Sequence, residues 1–202
     1  KVPIVPGLRD VVRIASEETP GCEGKEDVLS FLYGTLDESH SLAEWSTRLL
    51  ARLFRGFPIV FLEPSLPGIR RIAASVFRKE LEDPIRLSLL VNEAGKSLQE
   101  LGFPPQIKKA SNDCSFFVEI ENRRRKVVVE QGRFVFPETG EAISAATLTH
   151  WLEENPERFS ENVILRPISQ QVLLEPVAYV AGPGEVGYWA QLRGVFEHYG
   201  LD

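Results

Sequence analysis

The sequence predicts an α/β fold, with a layered core built from both ends of the chain and a helical and antiparallel-β region inserted between. Three observations carry this. Residues 57–62 and 177–181 are short continuous apolar runs, the pattern of strands buried on both faces of a parallel sheet. Each is followed by a loop containing proline and glycine and then by helical apolar spacing. Between them, residues 115–136 switch to a period of two, the signature of strands covered on one face.

The elements follow in order. Leu8, Val11, Val12 and Ile14 space a short helix over residues 7–17, which Thr19-Pro20-Gly21 breaks. Residues 25–33 form a second, with Val28, Leu29, Leu32 and Tyr33 on one face. Ser39 or Ser41 caps a third, whose Leu42, Trp45, Leu49, Leu50, Leu53 and Phe54 face inward until Gly56. After the run at 57–62, residues 63–68 make a loop, 69–81 a helix and 83–101 a longer helix closed by Gly102 and Pro104.

The meander is read as strands at 116–120, 126–130 and 133–136, turning at Asn122-Arg123-Arg124 and Gln131-Gly132. Residues 144–153 form a serine-capped helix. Residues 163–165 read as a buried strand interrupted by Arg166-Pro167, and 169–174 as a helical turn or two. After the run at 177–181 and the Gly182-Pro183-Gly184 loop, residues 185–199 form an amphipathic helix with Val186, Trp189, Leu192, Val195, Phe196 and Tyr199 on its apolar side.

Charge and composition exclude several roles. In 202 residues, 23 lysines and arginines stand against 29 aspartates and glutamates, a net charge of −6. That disfavours phosphate neutralisation and hence nucleic acid. No run approaches the roughly 18 apolar residues of a membrane span, and the first eight residues show no signal peptide. The two cysteines, Cys22 and Cys114, make no disulfide framework. A cytoplasmic setting follows. His40, His150 and His198 lack metal-ligand spacing, so no metal is expected. The absence of methionine points to an excised piece of a longer protein.

The junction Gly182-Pro183-Gly184-Glu185 is the leading candidate site. Ligands of open α/β sheets bind beyond the carboxyl ends of strands. Glycine lets a ligand approach the backbone, and first-turn amides attract anions. Glu185 could hold a sugar hydroxyl or an amine. Alternatively it only complements the helix dipole, worth about 0.3–1 kcal/mol. Arg166, at the end of a buried strand, needs a partner. With Gln170 it could bind a carboxylate or phosphate, or Arg166 could form a structural salt bridge. Glu63 ends the 57–62 run, where α/β enzymes place functional acids, or it is an ordinary loop acid. The basic run Arg123-Arg124-Arg125-Lys126 reads as a solvated hairpin tip protecting strand edges.

The segment Phe159-Ser160-Glu161-Asn162-Val163-Ile164-Leu165-Arg166-Pro167, then Gln170 or Gln171, Ala178-Tyr179-Val180-Ala181-Gly182-Pro183-Gly184-Glu185 and Tyr188-Trp189-Ala190-Gln191-Leu192 resembles the bacillithiol biosynthesis cysteine-adding enzyme family. Phe61-Leu62-Glu63-Pro64, Arg71-Ile72-Ala73 and Val76-Phe77 are similar too, although the family more often has aspartate where Glu63 stands. The resemblance implies a Rossmann-like core portion related to class I aminoacyl-tRNA synthetases. Residues 1–82 and 157–202 would supply that core, and 83–156 a connecting insertion of helix, β-meander and helix.

It also implies a ligase that adds cysteine to glucosaminyl malate, uses ATP or ADP, and dimerises through a coiled coil absent here. The family's Gly-His-Gln motif is absent as well, so this chain reads as an interior fragment, inactive alone. Glu185 and Arg166 are the expected catalytic residues. Gly182, Gly184, Gln170, Tyr188 and Glu63 are the expected substrate or nucleotide contacts. The alternatives are a non-catalytic nucleotide- or sugar-binding module and a sugar-nucleotide-dependent transferase.

Overall fold

In the computed structural model, which describes residues 7–201, the chain divides into two units, Lys1–Pro64 and Ser65–Asp202. The first unit holds three helices, α1 (Gly7–Glu18), α2 (Lys25–Asp37) and α3 (Leu42–Leu53). Lys25 closes α1 by donating from Nζ to the carbonyls of Ser16 (2.6 Å) and Thr19 (2.7 Å), a cation where helix carbonyls end unpaired. Arg9 on α1 grips Asp37 on α2 at 3.1 and 2.6 Å. Ser41 caps α3 by accepting from the Glu44 amide at 3.2 Å, which satisfies one orphan donor, and the Glu44 carboxylate accepts from the His40 amide just before the cap at 3.0 Å.

Two expectations for this unit are corrected. No residue of α3 is fully buried, so its apolar stripe does not face a core. Residues 57–62 form no strand, and Val60 is 90% exposed. A strand is stable only against a neighbouring ladder. Here the chain turns on itself instead, the Ile59 amide donating to the Phe57 carbonyl at 2.8 Å, and Phe54 packs against Phe57 and Phe61.

The second unit opens with α4 (Pro67–Glu82) and α5 (Arg86–Glu100). Pro67 sits at the start of α4, where its missing N–H costs nothing. Five antiparallel strands follow: β1 (Asp113–Ile120), β2 (Arg123–Glu130), β3 (Arg133–Phe136), β4 (Glu141–Ile143) and β5 (Phe159–Glu161), in the order β4-β3-β2-β1-β5. Both leading hairpins turn in two residues with positive φ, Glu121 and Asn122 at 53° and 59°, Gln131 and Gly132 at 50° and 75°. That is the type I′ geometry whose twist matches paired strands.

The Asn122-Arg123-Arg124 turn therefore begins one residue earlier than the sequence suggests, and the basic run belongs to β2. Arg124 lies 3.9 Å from the Phe117 ring centre, Arg125 pairs with Glu138 and Lys126 with Asp113. Along β5, the Asn162 amide donates to the Ser115 carbonyl. The alternate carbonyls of Phe159 and Glu161 face away from β1, and accept from Arg70 and Arg124 respectively.

The chain continues through α6 (Ala145–Glu154), capped by Ser144, a single 3-10 turn (Pro156–Arg158), β5, α7 (Leu165–Leu174) and α8 (Pro183–Tyr199). Phe77 of α4 meets Phe159, which meets Phe116, and Leu148, Leu152, Ile164, Leu165, Ile168 and Leu192 fill the space around them.

Residues 163–165 are not a strand. The Asn162 carboxamide oxygen accepts from the amides of Ile164 (2.8 Å) and Leu165 (3.2 Å) and starts α7 there, an Asx cap that outcompetes extension. Residues 177–181 are also not a strand among the described residues: Val177 sits in a bend, residues 177–180 are exposed, and no main-chain group of the segment is hydrogen-bonded. Their apolar character signals burial, but no described strand lies beside them to supply a ladder.

Gln191 of α8 is completely buried. Its Oε1 accepts from the amides of Gln106 (2.5 Å) and Ile107 (2.8 Å), and its Nε2 donates to the carbonyls of Ile107 (3.0 Å) and Val91 (3.3 Å). One side chain thus docks α8 to α5 and to the segment before β1. A Cβ at Gly95 would stand 2.9 Å from that Nε2, so α5 needs glycine there.

Candidate functional site

The turn at 182–185 is built by helix-terminus chemistry. With proline at its first position, the start of α8 leaves three amides, of Gly182, Gly184 and Glu185, without helical partners. Glu185 reaches back, and Oε2 accepts from the Gly182 amide at 3.1 Å. Its Oε1 accepts from the Tyr179 hydroxyl at 3.2 Å. Glu185 thus has the helix-start role that the sequence left open beside ligand binding, and its exposed oxygens keep lone pairs for a further donor.

Tyr179 is held against Trp189, ring centres 4.5 Å apart, and Trp189 against Phe196 at 5.4 Å. Sequence reading took Tyr179 for a strand residue and Trp189 for core. The signal available was the helical repeat Trp189–Phe196, two turns apart on α8. Between residues 176–179, α7 and α8 lies an open pocket of about 430 Å³, lined by Gln171, Val177, Tyr179, Trp189, Arg193 and Phe196.

Arg166 corrects an expectation. It stands exposed in the first turn of α7 rather than at the end of a buried strand, so no desolvation demands a partner. Gln170 follows one turn later, half-buried. Tyr188 of α8 donates to the Val163 carbonyl at 2.5 Å, tying α8 to the start of α7. Burial pushes the Tyr188 phenol up to about 12, and the nearby Arg166 charge opposes that rise. The structure therefore brings Arg166, Tyr188 and the Glu185 turn to the facing starts of α7 and α8. Glu63 lies half-buried in the first unit.

A second polar cluster escaped sequence reading. Glu80 of α4 is 1% exposed. Its Oε1 accepts from the Ser115 amide at 2.6 Å, while Oε2 and the Ser115 hydroxyl are buried without a hydrogen-bond partner. Burial pushes this carboxyl up to about 8, against the pull of the Ser115 hydrogen bond. Burial also raises the neighbouring Cys114 thiol. Asp113 resists the same effect, because Lys126 (2.6 Å) and Lys109 (3.2 Å) hold it charged and below its ordinary range. A glutamate on an amphipathic helix carries no sequence mark of such burial. Among the described residues, no three His, Cys, Asp or Glu side chains gather to hold a metal, and no helix is long and apolar enough to cross a membrane.

Comparison with known proteins follows the same lines. Residues 2–202 match the family model described as bacillithiol biosynthesis BshC, N-terminal Rossmann-like domain. A Salinibacter ruber protein is 33% identical over all 202 residues, which cover 37% of its length. A Bacillus licheniformis protein is 34% identical over 191 residues, 95% of this chain and 35% of the relative. A Prosthecochloris aestuarii protein is 32% identical over 200 residues, 98% of this chain and 35% of the relative. Each is provisionally named cysteine ligase BshC. The chain spans about a third of the length of these curated relatives.

Proposed function

The chain belongs to the bacillithiol biosynthesis BshC family, to its N-terminal Rossmann-like domain, and from that premise we propose that it is part of a cysteine ligase that joins cysteine to glucosaminyl malate. The reaction forms an amide from the cysteine carboxyl and the sugar amine with loss of water. ATP, when bound, would activate the carboxyl. Residues 1–82 and 157–202 supply the Rossmann-like core in this reading, and 83–156 the connecting insertion. The parent enzyme is a cytoplasmic homodimer joined by a coiled coil outside this chain, which alone does not ligate.

The observation that carries the site assignment is the Tyr188–Val163 hydrogen bond, which sets the starts of α7 and α8 beside each other. Nothing lies within 4 Å of a Cβ position at Gly182 or Gly184, so a ligand can reach the main chain there. Glu185 already answers the Gly182 amide with negative charge. That makes the turn a better seat for hydroxyl or ammonium donors than for phosphate. We assign the sugar hydroxyl or amine to Glu185. The malate carboxylate or a nucleotide phosphate goes to Arg166, whose planar fork suits either. Gln170 and Tyr188 complete the contacts in this reading.

The test is amide formation by the full-length enzyme from cysteine, glucosaminyl malate and ATP, followed by mass spectrometry, with Glu185→Gln and Arg166→Lys alongside. The expected result is product from the full-length enzyme, none from the 202-residue chain, and at least a tenfold drop in kcat/KM in each variant. Unchanged kcat/KM in both variants would remove the site assignment. No product from any form would remove the ligase reading.

A further inference from the structure

Tyr179 reaches Glu185 along one turn of α8. Glu185 and Trp189 stand four residues apart on that helix and so share a face. The Tyr179 ring rests on Trp189, ring centres 4.5 Å apart, and its hydroxyl donates to Glu185 Oε1 at 3.2 Å. The other oxygen, Oε2, accepts from the Gly182 amide at 3.1 Å. The carboxylate is therefore held at both oxygens, by the main chain at one and by a phenol at the other.

Capping explains only one of these bonds. The Gly182 amide is a helix-start donor that needs an acceptor, and Oε2 alone supplies it. The Tyr179 hydroxyl has no such need: the residue is 44% exposed, and water would satisfy it there. What the second bond adds is orientation. A carboxylate held at one oxygen pivots about that bond; held at both, it keeps one plane. Of the roughly four lone-pair positions on the two oxygens, these bonds take two, and the others point in fixed directions.

We propose that Tyr179 is a positioning residue of the ligase site, its hydroxyl fixing the Glu185 carboxylate in the orientation that receives the sugar-amine substrate. The proposal rests on the assignment of that substrate to Glu185 above. Trp189 extends the same control to the other end of the site. It meets the edge of Tyr188, ring centres 6.2 Å apart at 76°. Tyr188 in turn donates to the Val163 carbonyl just before α7, in whose first turn Arg166 stands. One indole thus supports the two tyrosines that place the anionic and the cationic side chains. Groups preset in this way spare the bound substrate the cost of ordering them.

Steady-state kinetics of the full-length enzyme test this, with Tyr179→Phe, Glu185→Ala and the double variant. Tyr179→Phe keeps the ring on Trp189 and removes only the hydroxyl. The expected result is a drop of about tenfold in kcat/KM for glucosaminyl malate in Tyr179→Phe, with KM for cysteine and for ATP within about twofold of the unmodified enzyme. In the Glu185→Ala background the same change should alter kcat/KM by less than about twofold, because no carboxylate remains to orient. A Tyr179→Phe enzyme as active as the unmodified one, beside an impaired Glu185→Ala, overturns the positioning role and leaves the assignment of Glu185 standing. An equal loss in both backgrounds also overturns it, since Tyr179 would then act without Glu185. Glu185→Ala at full activity overturns the assignment and the proposal with it.

Discussion

Gln191 treats Ile107 as one strand treats another: its Oε1 accepts the Ile107 amide at 2.8 Å and its Nε2 donates to the Ile107 carbonyl at 3.0 Å. A buried side chain amide here replaces a β-ladder. Gln191→Leu keeps the approximate volume and leaves the buried Ile107 amide and carbonyl without this partner, a loss of about 2–6 kcal/mol at roughly 1–3 kcal/mol per unsatisfied group. Gly95→Ala, pushing on the same Nε2, should cost about 1–3 kcal/mol. Urea unfolding of each variant measures both. Midpoints equal to the parent chain's would show that the clasp contributes nothing.

Glu80 gives the second unit a pH dependence of unusual sign for a carboxyl. Its folded value, near 8, lies above its ordinary 4.5. The folded state therefore binds the extra proton, and the associated stability is complete below about pH 4.5 and lost as pH rises through 8. The loss is on the order of a few kcal/mol. Glu80→Gln keeps an uncharged amide in place and should flatten stability between pH 5 and pH 9. A Glu80→Gln profile parallel to the parent's would mean that some other group titrates.

Glu185 and Tyr179 separate capping from recognition. Glu185→Gln retains an acceptor for the Gly182 amide and removes the charge, so stability should fall by at most about 1 kcal/mol. Glu185→Ala removes the acceptor too and should cost about 0.5–2 kcal/mol. Tyr179→Phe removes only one hydroxyl bond, about 1 kcal/mol. Thermal unfolding ranks the three. Glu185→Gln less stable than Glu185→Ala would contradict the cap geometry.

The Gln131-Gly132 turn holds a non-glycine residue at φ 50°. Asparagine tolerates that region far better than glutamine. Gln131→Asn should raise stability by about 0.5–1 kcal/mol, read as a higher urea midpoint with an unchanged slope. A lower midpoint would mean that Gln131 makes contacts worth more than the strain it bears.

Local chemistry made much of this fold legible. Ser41 and Ser144 start α3 and α6 as serine caps should, and alternating residues from Phe116 to Phe136 mark the meander. What failed was any inference from apolar content to a specific partner. Ile164 and Leu165 are buried as their composition suggests, but Asn162 winds them into α7. Val177 and Val180 carry the same composition and stand in solvent. A strand is a relation between segments, and hydrophobicity names only one of them. The Gly182–Glu185 turn was legible as a helix start for the converse reason, because a cap is made within a few residues. Gln191 and Glu80 left no trace, since burial of a polar helix residue depends on what packs over it.

The outer edge of β5 has a consequence for solution behaviour. An open strand edge is a template on which another molecule can add its own backbone. Here the two outward carbonyls, of Phe159 and Glu161, are each occupied by a guanidinium, from Arg70 and Arg124. Edge-to-edge stacking of copies must first displace two charges and then bury them. The arginines act as gatekeepers against aggregation, and their loss would show as self-association before any loss of the native sheet.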